Sequence, residues 1–282
     1  MNEHIQGSEE WLKLRDDKIG SSDAPVIMEA SPWKTPYQLW EDKILGRRSK
    51  PTAVMQRGLD LEQRARDLFS DMTGFLVEPA VVVHDKHEWM MASLDAREIT
   101  GKYIAEIKCP GREDHEIAKS GKVPDKYYPQ LQHQIEVCKL DKAYYFSFDG
   151  NEGILVEVNR DQKYIIKLIE KEKVFWEQLQ NLTPPQLGDK DFKVMDNDIW
   201  DTYASQWITL NTQLKELEKR EQELRERLIS MSRNQNCKGK GVKVAKILKK
   251  GNIDYSKIAV LQGMDLEVYR KEPVEYWKIS KE

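Results

Sequence analysis

The sequence predicts an α+β protein, with short strands gathered among amphipathic helices and a helical and small β extension after them. Three observations carry this prediction. Ala53 to Met72 sets Met55, Leu59, Leu61, Ala65, Leu68 and Phe69 at the three-and-four spacing of one helix face. From Phe75 the texture changes to Val77, Val81, Val82 and Val83, then Trp89, Met90 and Met91, short β-type runs divided by polar turns. Leucines from Gln206 to Met231 then recur in a heptad-like seam broken only by Glu221.

Composition narrows the class. A chain of 282 residues, 39% hydrophobic and 33% charged, can bury one large core, or one core plus an appendage. No apolar run approaches the roughly 18 residues of a membrane span. Met1 to Gly20 is too polar for a signal peptide, so the expected location is the cytoplasm, with no membrane partner. Cys109, Cys138 and Cys237 are odd in number and far apart, which argues against a disulfide framework or a zinc knuckle. The net charge of −3 does not advertise a polyanion partner, so any nucleic-acid contact has to come from local clusters.

Taken in order, Ser8 caps a first helix that carries Trp11, Leu12 and Leu14. Ile19-Gly20-Ser21-Ser22-Asp23-Ala24 follows, where backbone N–H groups and the Ser21 and Ser22 hydroxyls suit a phosphate at a helix start. Arg15 adds a bidentate donor to that corner. A plain helix cap beside a solvated arginine fits the same residues. Thr35 to Leu45 is a helix with Pro36 near its start and Gly46 just past its end. Within the next helix, Glu62 sits one turn from Gly58. His84 and His87 fall in a turn without a partner cluster, which speaks against zinc.

Gly111 to Asp125 reads as a polar loop, and Gln130 to Cys138 as a helix packed through Leu131, Ile135 and Cys138, with Gln130 and Gln134 on a neighbouring face. Ala143 to Asp149 and Ile154 to Val158 form a strand pair. Lys163 to Leu182 is helical and stopped by Thr183-Pro184-Pro185. These elements define a core over 1–185, a linker over 186–205 and an extension over 206–282. The seam helix is expected to fold back on the Lys163 helix as an intrachain hairpin, with pairing to another chain as the alternative. Beyond it, seven lysines at 238, 240, 243, 246, 249, 250 and 257 stand against Asp254, enough to meet phosphate or simply to form a solvated face. Ile253 to Ile279 reads as a small module of short strands.

The chemistry concentrates in Ser93-Leu94-Asp95-Ala96 and, after a turn, Ile104-Ala105-Glu106-Ile107-Lys108-Cys109-Pro110. Side chains alternate along a strand, so Glu106 and Lys108 share a face. Asp95 and Glu106 supply carboxylate oxygens of the kind Mg²⁺ or Mn²⁺ takes while keeping its waters. Lys108 is then placed to position or deprotonate an attacking water. An ordinary hairpin with solvated Asp, Glu and Lys has the same spacing.

Taken together, five stretches resemble the lambda exonuclease-like, YqaJ-type alkaline exonucleases of the PD-(D/E)xK nuclease superfamily, over roughly residues 8 to 180. They are Trp11 to Arg15 with Ile19 to Ser22, Gly58 to Glu62, Ser93-Leu94-Asp95, Glu106 to Pro110, and Tyr128 to Gln134. The resemblance implies an α/β/α sandwich with a mixed central sheet and a Mg²⁺- or Mn²⁺-dependent exonuclease, degrading one strand of duplex DNA from its 5′ end and leaving 3′ single-stranded tails. It implies that Asp95, Glu106 and the Ile107 carbonyl bind metal, two ions in all. Glu62 acts on the second ion, Lys108 on the nucleophilic water, and Gln130 positions one of these groups. Arg15 and Ser22, with Ser21 beside them, contact the 5′-phosphate. A ring of three copies and a single-strand annealing partner, in a bacterial or phage-infected cell, complete the picture. The chain departs from the family in having Leu94-Asp95-Ala96 where Pro-Asp-Gly is common. A structure-selective endonuclease on the same fold, and a non-catalytic DNA-end-binding protein, remain the alternatives.

Overall fold

A computed structural model describes residues 8–47, 52–254, 257–258, 261, 264 and 279–280 of the chain. It divides into two compact units, Met1–Lys193 and Val194–Glu282. Among the described residues no helix is long and apolar enough to cross a membrane.

The first unit opens with α1 (Glu9–Asp17), whose cap Ser8 accepts the Trp11 N–H at 3.2 Å. Then come β1 (Ile19–Gly20), α2 (Ala24–Ile27), α3 (Pro36–Ile44) and α4 (Ala53–Thr73). A capping box between Thr35 and Gln38 starts α3, as its sequence foretells. The strands β2 (Val77–Val83), β3 (Met90–Glu98) and β4 (Ile104–Lys108) precede α5 (Arg112–Lys119) and α6 (Tyr128–Cys138). The unit closes with β5 (Lys142–Phe148), β6 (Gly153–Asn159) and α7 (Gln162–Gln180).

The sheet runs β1-β3-β4-β5-β6, with β2 also paired to β3. It is mixed: β1–β3 and β4–β5 are parallel, while β2–β3, β3–β4 and β5–β6 are antiparallel. The parallel β4–β5 pair needs a crossover, which α5 and α6 supply. Leu131 and Ile135 of α6 and Ile165 and Leu168 of α7 pack with Met90, Leu94 and Tyr145 in one buried cluster. Ala65 and Phe69 of α4 pack with Ala105, Ile107 and Phe146 in another. The neighbours Tyr145 and Phe146 thus serve opposite faces of the sheet, as strand alternation requires, and helices cover both.

Two expectations need correcting here. Met90 and Met91 belong with Ser93 to Ala96 to one strand, β3, rather than to separate runs; the small residues Ala92 and Ser93 interrupt the apolar pattern without interrupting the ladder to β2. Gly111 to Asp125 is not a loop throughout, because α5 forms within it. Gly111 precedes that helix, Glu113 and Asp114 lie in its first turn and Lys119 in its last, a charge order that suits the helix dipole. Its burial rests on His115 and Ala118 rather than on large apolar groups.

In the second unit, α8 (Asp198–Met231) is 34 residues long. It begins at Asp198, inside the stretch expected to be a linker, because Asn197 caps it by accepting the Trp200 N–H at 2.8 Å. Tyr203, Trp207, Leu210, Leu214, Leu217 and Glu221 follow at alternating steps of four and three, and Leu224, Leu228 and Met231 continue the series. None of its residues is buried. The apolar side of α7, which was expected to receive this seam, is committed within the first unit through Ile165, Leu168, Phe175 and Leu179. A short hairpin follows, β7 (Cys237–Gly239) against β8 (Val242–Val244), pairing Lys238 with Lys243. The module of strands expected over 253–279 lies almost wholly outside the described residues.

Candidate active site

The ladder between β3 and β4 is formed at Ala96↔Ala105 and Arg97↔Ile104. One step further along, the Ile107 N–H donates to Asp95 Oδ2 at 2.9 Å, so a carboxylate takes the place of a strand carbonyl. This brings Asp95 beside the Glu106 strand. Glu106 is 2% exposed, and its carboxylate is held from three sides. Lys108 Nζ donates to Oε1 at 2.5 Å, Gln130 Nε2 donates to the same oxygen at 2.7 Å, and Gln134 Nε2 donates to Oε2. The two glutamines lie one turn apart on α6, and both are buried.

Electrostatics follow from this crowding. Burial, then the Glu106 charge, push the Asp95 carboxyl well above the usual carboxylate range, with Lys108 pulling the other way. Burial disfavours the Lys108 ammonium, yet Glu106 and Asp95 together outweigh it and raise its pKa. Lys108 is therefore a cation in this arrangement, and its Nζ also lies 5.4 Å from the centre of the Tyr127 ring. Of the two roles its spacing left open, positioning suits a group whose proton is held this firmly better than deprotonation does.

Glu62 approaches from α4 through an intermediary that the sequence reading did not single out. Arg66 donates to Glu62 Oε1 at 2.5 Å and, through Nε, to the Asp95 carbonyl at 2.7 Å. The i,i+4 spacing of Glu62 and Arg66 was visible in the sequence; the bond to Asp95 is tertiary and was not. Glu62 is near enough for its charge to act on Asp95.

The donor set fits a hard divalent cation. Among the described residues no three His, Cys, Asp or Glu side chains form a metal-binding group. Mg²⁺ is commonly held by one or two carboxylates plus water and substrate oxygens, and two adjacent carboxylates whose mutual repulsion raises one pKa are the pair a cation relieves. The Oε1 of Gln134, buried beside Glu106, has no hydrogen-bond partner within the protein.

The second group of expected residues gathers at the start of the chain. Arg15 donates to Ser22 Oγ at 3.1 Å, and its guanidinium lies 5.3 Å from the Trp11 ring centre. Ser21 does not join them: it is 3% exposed, turned inward while Ser22 stays at the surface. Behind the pair, Lys43 Nζ meets Asp23 at 2.9 Å and donates to the Arg15 and Lys18 carbonyls. Burial alone would raise the Asp23 pKa, but the Lys43 and Arg15 charges hold it below the usual value. Trp11 Nε1 donates to Ser93 Oγ at 2.9 Å, two residues before Asp95 on β3. The strand that bears Asp95 is thus joined through Trp11 to the helix that bears Arg15.

Elsewhere, His84 Nδ1 accepts the N–H groups of Lys86 and His87, a turn-capping role.

The mixed sheet with helices on both faces is the arrangement that the resemblance to the PD-(D/E)xK nucleases implies. Residues 10–141 match the model of the YqaJ-like viral recombinase domain. The chain is 30% identical over 176 residues to the uncharacterized protein YqaJ of Bacillus subtilis (strain 168), an alignment covering 60% of this chain and 55% of that protein. It therefore spans about half the length of this curated relative. In fold it is similar to the alkaline exonuclease of Laribacter hongkongensis, with a TM-score of 0.55, 24% identity, and coverage of 62% of this chain and 94% of that one. The same enzyme in complex with dAMP gives a TM-score of 0.56 at 25% identity, with the same coverage.

Proposed function

We propose that the protein is a metal-dependent deoxyribonuclease that digests duplex DNA from its ends, removing the 5′ strand and leaving 3′ single-stranded tails for recombination. The observation that carries this reading is the buried Asp95–Glu106 pair with Lys108 beside it and two glutamines behind it. The family match and the likeness to an alkaline exonuclease support it.

In this reading Asp95, Glu106 and the Ile107 carbonyl would hold Mg²⁺ or Mn²⁺, and Glu62 would serve a second ion. Such ions supply charge stabilisation for the phosphodiester and a bound water of lowered pKa. The chain does the rest. Gln130 and Gln134 fix the Glu106 rotamer from behind. Lys108, kept cationic, orients the attacking water and offsets negative charge as the scissile phosphate is attacked in line. Arg66 ties Glu62 to the Asp95 backbone, linking α4 to the carboxylate pair. Arg15 and Ser22 receive the 5′-phosphate of the DNA end. A ring of three copies around the duplex gives processivity, and a single-strand annealing protein takes the product, in the cytoplasm of a bacterial or phage-infected cell.

The test is digestion of end-labelled linear duplex, with and without a 5′-phosphate, across Mg²⁺ concentrations, beside a covalently closed circle. Loss of label from 5′-phosphorylated ends with the circle intact is expected. Cutting of the circle assigns a structure-selective endonuclease instead, and binding of ends without turnover in Mg²⁺ or Mn²⁺ assigns an end-binding protein. A monomer in light scattering removes the ring.

A further inference from the structure

The seam of α8 is an apolar feature that no core cluster among the described residues absorbs. Leu210, Leu214, Leu217, Leu224, Leu228 and Met231 are 40–77% exposed. A helix of this length, about 50 Å at 1.5 Å per residue, draws most of its stability from packing an apolar face, not from propensity. Its 3.5-residue period is the one that keeps a seam facing a partner helix over several turns.

The charges along the seam decide what covers it. In a parallel pair of identical helices, Glu221 would meet Glu221 of the second copy, and Arg220 would lie across from Arg225, setting like charges against each other at the centre. In an antiparallel pair the outcome differs at each of these positions. Leu214 meets Leu217 at the centre, Glu221 faces Leu210, Arg220 lies beside Gln213 and Glu218 beside Asn211. No like charges are then opposed. Glu221 already has its cation on its own helix, Arg225 at 3.0 Å, so it needs none from a partner. Antiparallel helices also align their dipoles favourably. The midpoint of this pairing, between Leu214 and Leu217, falls at the middle of Asp198–Met231, so nearly the whole helix overlaps.

We propose that α8 is a self-association element, joining two copies of this chain through an antiparallel two-stranded coil centred on Leu214 and Leu217. The pairing stands apart from the nuclease reading, and it doubles whatever assembly the first unit forms.

The full-length protein tests this by light scattering and disulfide mapping. Wild type is expected to contain an even number of chains, and Leu214→Lys with Leu217→Lys to halve its mass at unchanged first-unit unfolding temperature. In a Cys237→Ser background, mixing an Asn211→Cys protein with a Glu218→Cys protein should give a cross-linked dimer under mild oxidation, and neither alone should. An unchanged mass in the double-lysine variant overturns the proposal and assigns the seam to this chain's own residues or a foreign protein. Cross-linking of each single-cysteine variant with itself, or none in the mixture, overturns the antiparallel arrangement.

Discussion

The two units treat their ionisable and apolar groups in opposite ways. In the first, charge goes inside: Glu106, Asp23, His133 and Glu172 are buried, each with partners contributed by other elements. In the second, apolar surface stays outside, with leucines along α8 and lysines along the hairpin after it. Burying a charge is costly unless it is paired and hydrogen-bonded, so the first unit has its polar groups fixed in position at the expense of stability. Exposed leucines cost the folded chain little beyond forgone burial, but they leave it ready to associate. Position is what a cutting centre needs, and adhesion is what an assembly element needs.

The contrast can be broken by substitution. The largest expected effect is at the carboxylates: Asp95→Ala or Glu106→Ala should lower duplex digestion by about 10²–10³-fold or more, the scale for losing a group that stabilises transition-state charge. Digestion that persists in either variant would sink the assignment of the site.

Next comes the buried pair behind it. His133 donates through Nε2 to the Met91 carbonyl at 2.9 Å and shares a proton with Glu172 through Nδ1 at 2.7 Å, bracing the glutamine helix α6 against β3 and α7. His133→Ala leaves Glu172 buried and alone, and should cost about 3–5 kcal/mol in chemical denaturation. Burial alone would lower the His133 pKa, but Glu172 outweighs burial and raises it from the usual 6.5. A raised folded pKa on a base means the contribution is complete below 6.5 and is lost as pH climbs through the folded value. Wild type should therefore lose stability as pH rises above 6.5 through the folded value, and His133→Ala should flatten that limb of the stability–pH curve.

A smaller effect is expected at Gly153. A Cβ there would come within 2.4 Å of Phe146 and 2.9 Å of Leu68, so Gly153→Ala should cost about 1–3 kcal/mol by overpacking. Leu224→Ala on α8, by contrast, should move first-unit stability by less than about 0.5 kcal/mol. The mildest test uses thiols. Burial pushes Cys109 up to about 11 and Cys138 up to about 12, whereas Cys237 is exposed. Alkylation near neutral pH, followed by mass spectrometry, should find Cys237 modified first.

The same contrast explains what the sequence disclosed. Strand alternation placed Glu106 and Lys108 on one face, and helical spacing placed Gln130 and Gln134 one turn apart; both are local periodicities. The seam of α8 was legible for the same reason. Less legible were features set by tertiary contact. Arg66 reaches the Asp95 carbonyl from a helix 29 residues away in sequence, and no spacing rule encodes that bond. Ser21 and Ser22 carry the same hydroxyl, yet Ser21 is buried and Ser22 exposed, a difference no spacing rule encodes. The helix α5 hides a polar core contact, His115 with Ser147 at 2.8 Å, which apolar periodicity cannot reveal.

The hydrogen bond from Trp11 to Ser93 has a mechanical consequence. Arg15 lies one turn along α1 from Trp11, and Ser93 lies two residues from Asp95 on the same strand. In the proposed reading, the helix that receives the DNA end and the strand that bears Asp95 are therefore tied by one indole N–H, and Trp11→Phe would untie them.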